Sequence, residues 1–262
     1  MLTLTHVSKT FYPGTPNERK ALRDINLELD EGDFVTIIGS NGAGKSTLLN
    51  VIAGSLYADQ GRVVIEGRDV TRTPEHRRAS QISRVFQDPG AGTAPHLSIE
   101  QNLAVAWNRG KPHTLGPGLT HARREEFREY LATLEQGLEN RMRHRVGLLS
   151  GGQRQALSLL MASFTQPKLL LLDEHTAALD PERAELVLRL TAQMVAEQNL
   201  TALMVTHNMD HALRLGNRLV MMHEGQILHS LGPVEKASAE VSDLLDWFAQ
   251  DKAALSDRTL LN

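Results

Sequence analysis

The chain of 262 residues contains no cysteine. Disulfide frameworks, Cys-ligated zinc, iron–sulfur clusters and thiol nucleophiles are therefore excluded. A membrane-spanning run is also missing: the leucine stretch Leu169–Leu172 ends at Asp173, whereas a membrane helix needs about 20 apolar residues. Neither sign of charge dominates. Twenty-eight basic and 31 acidic residues leave a formal net charge of −3, which argues against a nucleic-acid coat or a polybasic membrane anchor. Met1–Thr10 alternates apolar and polar residues without the apolar block of a signal peptide, so a soluble, cytoplasmic protein is expected. There is no internal repeat and no low-complexity segment. What remains is 41% hydrophobic and 23% charged, an ordinary globular composition for one or two domains.

Leu2, Leu4 and His6 alternate with Thr3, Thr5 and Val7, and Ile25, Leu27 and Leu29 repeat the pattern, so both segments are predicted as half-buried strands. Phe34–Ile38 is a short β-branched run, followed by a glycine-rich loop and a helix over Ser46–Ala53. Val63–Ile65 and Ile82–Phe86 are further strands. Ser98 with Gln101 three residues on predicts a capped helix running to Trp107. Residues 108–120 hold three Gly and two Pro and are expected as a loop, and His121–Leu138 as a charged amphipathic helix. From Lys168 the pattern alternates: strand Leu169–Leu172, helix Pro181–Gln198, strand Thr201–Val205, helix Asn208–Leu215. Such alternation implies a parallel sheet with crossover helices. Arg218–His223 and Gln226–Leu231 flank Glu224-Gly225, a two-residue hairpin signal. The expectation is an α/β domain with a helical insertion near 90–165.

Gly39-Ser40-Asn41-Gly42-Ala43-Gly44-Lys45-Ser46-Thr47 fits G-x-x-x-x-G-K-[ST] between a predicted strand and a predicted helix, the context that motif requires. Glycines let the backbone wrap so that successive N–H groups face phosphate oxygens. The helix N-terminus adds its dipole, Lys45 a charge for the β- and γ-phosphates, and Ser46 a hydroxyl for Mg²⁺. Asp173 and Glu174 follow the leucine strand at its carboxyl end, where open α/β sheets bind ligands. Asp173 suits Mg²⁺, and Glu174 suits polarising an attacking water. Taken alone, the pair would be an ordinary strand-end turn.

Leu149-Ser150-Gly151-Gly152-Gln153 opens a second helix, reaching about Ser163, and makes another anion site by the same physics. It resembles the signature motif of ABC-type ATPases. The resemblance extends from Leu2 to about Leu231 and takes in, in the family's order, the Lys45 loop, Gln87 after Phe86, Asp173-Glu174, Ala178-Leu179-Asp180, and His207 after Leu203-Met204-Val205-Thr206. It implies a P-loop NTPase core with an antiparallel β subdomain and a helical insertion over residues 1–231, and a short helix and tail over 232–262. It also implies ATP and Mg²⁺ as cofactors and two ATPase domains meeting head to tail. The pair would be a homodimer or this chain with a paired ATPase subunit, and Ser150, Gly151, Gly152 and Gln153 of one domain would then face the γ-phosphate held by the Lys45 loop of the other. Gln87 would touch Mg²⁺ and the attacking water, His207 the γ-phosphate, and Asp180 the dimer contact. Phe11 would stack on adenine, with Tyr12 the second choice.

Three positions depart from the family pattern. His175 stands where Pro is usual, Ala177-Ala178 where Ser-Ala is common, and the helix from Arg154 to Leu160 is more apolar than usual. The segment Phe86–Pro95, with Asp173–Asp180, is similar to bacterial import ATPases that accompany binding proteins of the tryptophan/tyrosine type. A transporter subunit on the inner membrane face is the expectation, working with a separate permease and a substrate-binding protein and importing an amino acid or another small metabolite. The alternative is a soluble ABC-type ATPase acting on ribosomes or nucleic acid. It is disfavoured by the single phosphate loop and by the absence of heptads and Cys, and no nucleic-acid partner is expected. His207 and His211 have a metal-ligand spacing, but Asn208 stands between them where a zinc protease carries Glu. Arg141, Arg143 and Arg145 are expected as a solvated helix end. Leu244, Leu245, Trp247 and Phe248 are expected as a stripe packing back on the domain.

Overall fold

The structure, a computed structural model, describes residues 1–109 and 118–249. Most of the expected 108–120 loop and the tail from 250 onward lie outside the described residues. In chain order the strands are β1 (Leu2–Phe11), β2 (Arg19–Leu29), β3 (Phe34–Gly39), β4 (Gln60–Ile65), β5 (Arg68–Asp69), β6 (Ile82–Val85), β7 (Leu169–Asp173), β8 (Thr201–Val205), β9 (Arg218–His223) and β10 (Gln226–Leu231). The helices are α1 (Lys45–Ala53), α2 (Glu75–Arg78), α3 (Ile99–Trp107), α4 (His121–Ala132), α5 (Gly151–Ser163), α6 (Pro181–Glu197), α7 (Met209–Arg214) and α8 (Pro233–Ser238). Two compact units form: Met1–Ile52 with Leu56–Thr71 and the residues from Met204 onward, and Ala53–Ser55 with Arg72–Leu203.

The first unit holds an antiparallel sheet in the order β2-β1-β4-β5. Leu2 and Leu4 are buried as the alternation predicts, but the next buried residue is Val7, and His6 points to solvent. The register against β2 shifts between Leu4 and Val7, and both His6 (φ 51°) and Asp24 (φ 54°) are left-handed. A bulge of this kind inserts one residue and turns the following side chains to the other face, which corrects the strict alternation expected for β1.

The first unit's other sheet runs β10-β9-β3 and continues to the end of β8. β3 and β9 are parallel, with Val35 opposite Arg218 and Gly39 opposite Met222. Their starts are clamped together. Asn217 Oδ1 accepts from the Phe34 N–H at 2.8 Å, and Asp33 accepts from Asn217 Nδ2 at 2.9 Å and from Arg218 Nη1 at 2.7 Å. The hairpin between β9 and β10 turns on Glu224 (φ 42°) and Gly225 (φ 81°), the double left-handed geometry of a tight turn. Ile38, Ala212, Leu219, Met221, Leu231 and Leu244 form a core cluster on which Trp247 and Phe248 pack. Residues 241–249 are helical; Leu244, Trp247 and Phe248 of the predicted stripe pack back on the domain, whereas Leu245 is exposed, because it lies on the other side of the helix. Lys236 on α8 is buried, and its Nζ donates to the carbonyls of Leu215, Gly216 and Arg218 and to the Thr36 hydroxyl.

In the second unit β6 and β7 are parallel, Ile82 opposite Leu169 through Val85 opposite Leu172, with the start of β8 beside β7. All five residues of β7 are buried, as a leucine run between two neighbours requires. Ser98 and Gln101 form the expected capping box on α3. α4 ends at Ala132, six residues short of its expected end. Glu135 (φ 54°) and Gly137 (φ 67°) are left-handed, a conformation that stops a helix. Arg141, Arg143 and Arg145 are exposed, as expected of a solvated cluster, and Arg141 follows the short 3-10 turn Leu138–Asn140, but no α-helix ends there. His144 and Met142 carbonyls accept from the N–H groups of Ile99 and Glu100, and Ser98 and Arg145 form a bridge. Trp107, Phe127 and Phe164 pack together, with Phe127 stacked on Phe164 at 5.7 Å and Arg123 4.2 Å over Trp107.

Burial lowers the Lys236 ammonium from 10.5 to about 8. Between those values the unfolded chain holds a proton that the folded chain has released, so this residue makes stability rise with pH across that window. In thermal unfolding from pH 7.5 to 10.5, the Tm difference between the natural chain and Lys236→Met is expected to move in favour of the natural chain as pH rises. A constant difference would contradict the assignment.

Candidate functional site

The first unit places the phosphate-loop sequence between β3 and α1, and two of its glycines, Gly39 and Gly44, are forced by backbone contacts. A Cβ on Gly39 would lie 2.2 Å from the Met222 carbonyl oxygen, and one on Gly44 (φ 99°) 2.4 Å from that of Ala21. Gly225 donates its N–H to Ala43 O at 3.0 Å, Arg19 Nη2 reaches Gly42 O at 3.0 Å, and Ser40 Oγ lies 3.2 Å from His223 Nδ1. The loop is thus fastened on several sides before any ligand arrives.

Lys45 is only 5% exposed. Its ammonium donates to Gly39 O at 2.8 Å and to Ser40 O at 3.2 Å, so the cation is folded back into the loop's own concavity. Ser46 and Thr47 continue the first turn of α1, whose N–H groups have no acceptor within the helix and whose dipole favours an anion. Ring, cation and helix end together make a site for a polyphosphate.

Two more expected residues lie in this unit. Thr206 donates its N–H to Ile37 O, which brings His207, exposed, to the end of β3. Phe11 is half-buried opposite Arg19, the same arginine that holds Gly42. Tyr12 is 69% exposed and left-handed.

In the second unit β7 delivers Asp173 to its carboxyl end, and the chain turns at Glu174 (φ 43°). His175, where the family pattern has Pro, is buried with Nε2 3.0 Å from Thr191 Oγ1. It therefore anchors the turn to α6 instead of facing solvent. Asp180 caps α6, accepting from the Arg183 N–H at 3.1 Å. Ser150 caps α5 in a capping box with Gln153. Gly151 lies against Leu179, and a Cβ on Gly152 would come within 2.9 Å of the Arg183 side chain, so the Ser150 turn and the Asp180 turn are neighbours. Gln87 follows β6 and is exposed, while Gln155 of α5 holds the preceding carbonyl, Phe86 O, at 3.1 Å.

Three residues at these loops were not found from the sequence: Arg19, His223 and Arg84. Arg84 carried a signal, as the one charged side chain of β6. It forms an ion pair with Asp173, Nη2 to Oδ2, at 2.6 Å. Arg19 and His223 carried none, because strand pairing brings each of them to the loop. Among the described residues no group of three or more His, Asp or Glu side chains is placed to hold a metal ion.

Residues 22–177 match the family model described as ABC transporter. A tyrosine transport ATP-binding protein of Clostridioides difficile is 41% identical over 248 residues, covering 95% of this chain and 98% of that one. A thiamine import ATP-binding protein of Salmonella typhimurium is 39% identical over 204 residues, 78% of this chain and 81% of its own. Among solved structures, the dimeric ATP-binding cassette MJ0796 in a post-hydrolysis state with ADP and phosphate superposes with a TM-score of 0.75 at 29% identity, covering 89% of this chain and 99% of that one.

Lys45→Ala is expected to weaken ATP binding by at least about 100-fold, the scale of losing a buried charged contact to phosphate, while the melting profile stays cooperative. Unchanged affinity in a calorimetric titration would contradict the loop assignment.

Proposed function

This chain belongs to the ABC transporter family of ATP-binding, ATP-hydrolysing subunits, and on that premise we propose that it powers import of a small solute, an aromatic amino acid by preference, through a separate permease at the inner membrane face. The observation that carries the reading is the 41% identity to a tyrosine transport ATP-binding protein over nearly the full length of both chains. None of the described helices is long and apolar enough to cross a membrane. We propose the ATPase domain over residues 1–231, with its helical part at about 90–165, and a substrate-binding protein as the permease's companion.

In the proposed reaction the Gly39–Thr47 loop and the α1 N-terminus hold the triphosphate, with Lys45 on its terminal oxygens and Phe11 against the base. Glu174 accepts a proton from a water as that water's oxygen attacks the γ-phosphorus. The bond to the bridging oxygen breaks, and ADP and phosphate leave. His207 and Gln87 orient the γ-phosphate and the water. The Ser46 hydroxyl, the Asp173 carboxylate and the Gln87 amide are hard oxygen donors of the type Mg²⁺ takes, and they would hold it. When bound, that ion supplies charge neutralisation between the β- and γ-phosphates. Ser150, Gly151, Gly152 and Gln153 would close over the nucleotide of a second copy, with Asp180 at the contact. The packing of the Ser150 turn on Leu179 and Arg183 supports a common surface for these two loops.

Glu174→Gln and His207→Ala are each expected to lower turnover by at least about 100-fold while ATP affinity stays within about threefold of the natural chain. Retained turnover in either variant removes the role given to that residue. For the transport reading, a tagged chain is purified from detergent-solubilised native membranes. A multi-spanning protein in stoichiometric amount is expected. Ribosomal or nucleic-acid partners released by rising salt would contradict the reading.

A further inference from the structure

The ladder between β6 and β7 ends at Val85 opposite Leu172. From Phe86 to Leu97 the chain then runs without strand or helix, so the polar backbone groups of this segment must find partners outside a ladder. Two side-chain amides supply them. Asn102 of α3 holds the far end, accepting from the Ala94 N–H at 2.7 Å and donating to Ala94 O at 3.0 Å. Gln155 of α5 holds the near end, its Nε2 donating to Phe86 O at 3.1 Å. Between them Asp88 closes its own turn by accepting from the Gly90 N–H at 2.8 Å. Gly92 passes so close to α5 that a Cβ there would lie 2.5 Å from Ser158 Oγ. Gln155 and Ser158 are three residues apart and therefore share a face of that helix.

Gln155 is fully buried, and its Oε1 accepts no hydrogen bond from the described residues. A buried amide oxygen without a donor costs stability, a cost that a methionine of the same length would not carry. Packing alone therefore does not call for a glutamine here; what the side chain supplies is its grip on Phe86 O. That carbonyl and the Gln87 N–H belong to one rigid peptide plane, so fixing the first sets the direction in which the chain enters Gln87. The Gln87 side chain is exposed and makes no hydrogen bond of its own among the described residues. Its place is set by the backbone on either side of it. We propose that Gln155 is a positioning residue for Gln87, holding the Phe86 peptide so that the Gln87 amide stands where it orients the attacking water. The inference rests on the role given to Gln87 under the proposed function. It goes beyond that role in assigning control of Gln87 to a side chain buried in α5.

The test is a double-variant cycle on the purified full chain. Single-turnover rates are read with the chain in excess over ATP, so that slow variants stay measurable, beside ATP affinity by calorimetry. Gln155→Met keeps the length and removes the donor. It is expected to slow turnover about tenfold, the scale on which losing a group behind a functional side chain is felt, with ATP affinity within about threefold of the natural chain. Introduced into Gln87→Ala, the same change is expected to slow turnover by less than about twofold, because no amide remains to be positioned. Equal slowing in both backgrounds overturns the proposal. So does a Gln155→Met variant with natural turnover, or one that loses turnover and ATP affinity together. Should Gln155→Met fail to fold, Gln155→Ala goes through the same cycle with the same outcomes. The Gln87→Ala single variant separates the two readings. Slowed turnover there upholds the role of Gln87 whatever Gln155 does, whereas natural turnover there removes that role and the positioning inference with it.

Discussion

A lysine ammonium buried in a ring of its own backbone carbonyls is the contact on which the rest of the first unit depends. Lys45 donates to Gly39 O and Ser40 O, and this is possible only because the loop closes tightly. The closure in turn requires Gly39 to approach Met222 O and Gly44 to approach Ala21 O at distances that no side chain allows. β2, β3, β9 and the β9–β10 hairpin therefore all act on one loop. The Asp33–Asn217–Arg218 clamp sets the start of β3, Gly225 binds Ala43 at its end, and Arg19 and His223 hold Gly42 and Ser40. Such a loop is organised in advance. In the proposed binding mode a polyphosphate would exchange the carbonyl contacts of Lys45 for stronger charged ones without first having to order the backbone.

The second unit follows the same logic with carboxylates. Parallel β6 and β7 bring Arg84, Gln87, Asp173 and Glu174 to their carboxyl ends, and the chain after β7 is pinned by His175 before α6 begins. α5 ties both ends of this region. Gln155 binds the carbonyl ahead of Gln87, and the Ser150 turn rests on the first turn of α6. One helix thus contacts both the segment before Gln87 and the loop before α6.

Much of this was legible because the signals are local. The phosphate loop needs only its own residues and its flanking strand and helix. β8, β9 and β10 begin and end where they were expected, and the Glu224-Gly225 turn fixes the shared boundary of β9 and β10. The capping boxes at Ser98 and Ser150 are written in four consecutive residues. The features that escaped are those set by partners distant in sequence or by one extra residue in a ladder. The bulge at His6 replaced His6 by Val7 in the core, because alternation carries no mark of an inserted residue. The left-handed Glu135 ended α4 early without a glycine at that position. Arg141–Arg145 is solvated as expected, but its link to the start of α3, through the carbonyls of Met142 and His144, left no mark in the sequence. Arg84 alone among the missed residues announced itself, as the one charged side chain of β6.

The phosphate loop and the Ser150 turn are proposed as two incomplete halves of a site, each completed by a second copy of the chain. Light scattering on purified Glu174→Gln with saturating ATP tests that proposal most directly. The account predicts a shift to twice the mass of one chain, reversed when Ser150→Arg is added although ATP still binds. A species that keeps the mass of one chain with ATP bound, or a dimer indifferent to Ser150→Arg, would contradict it.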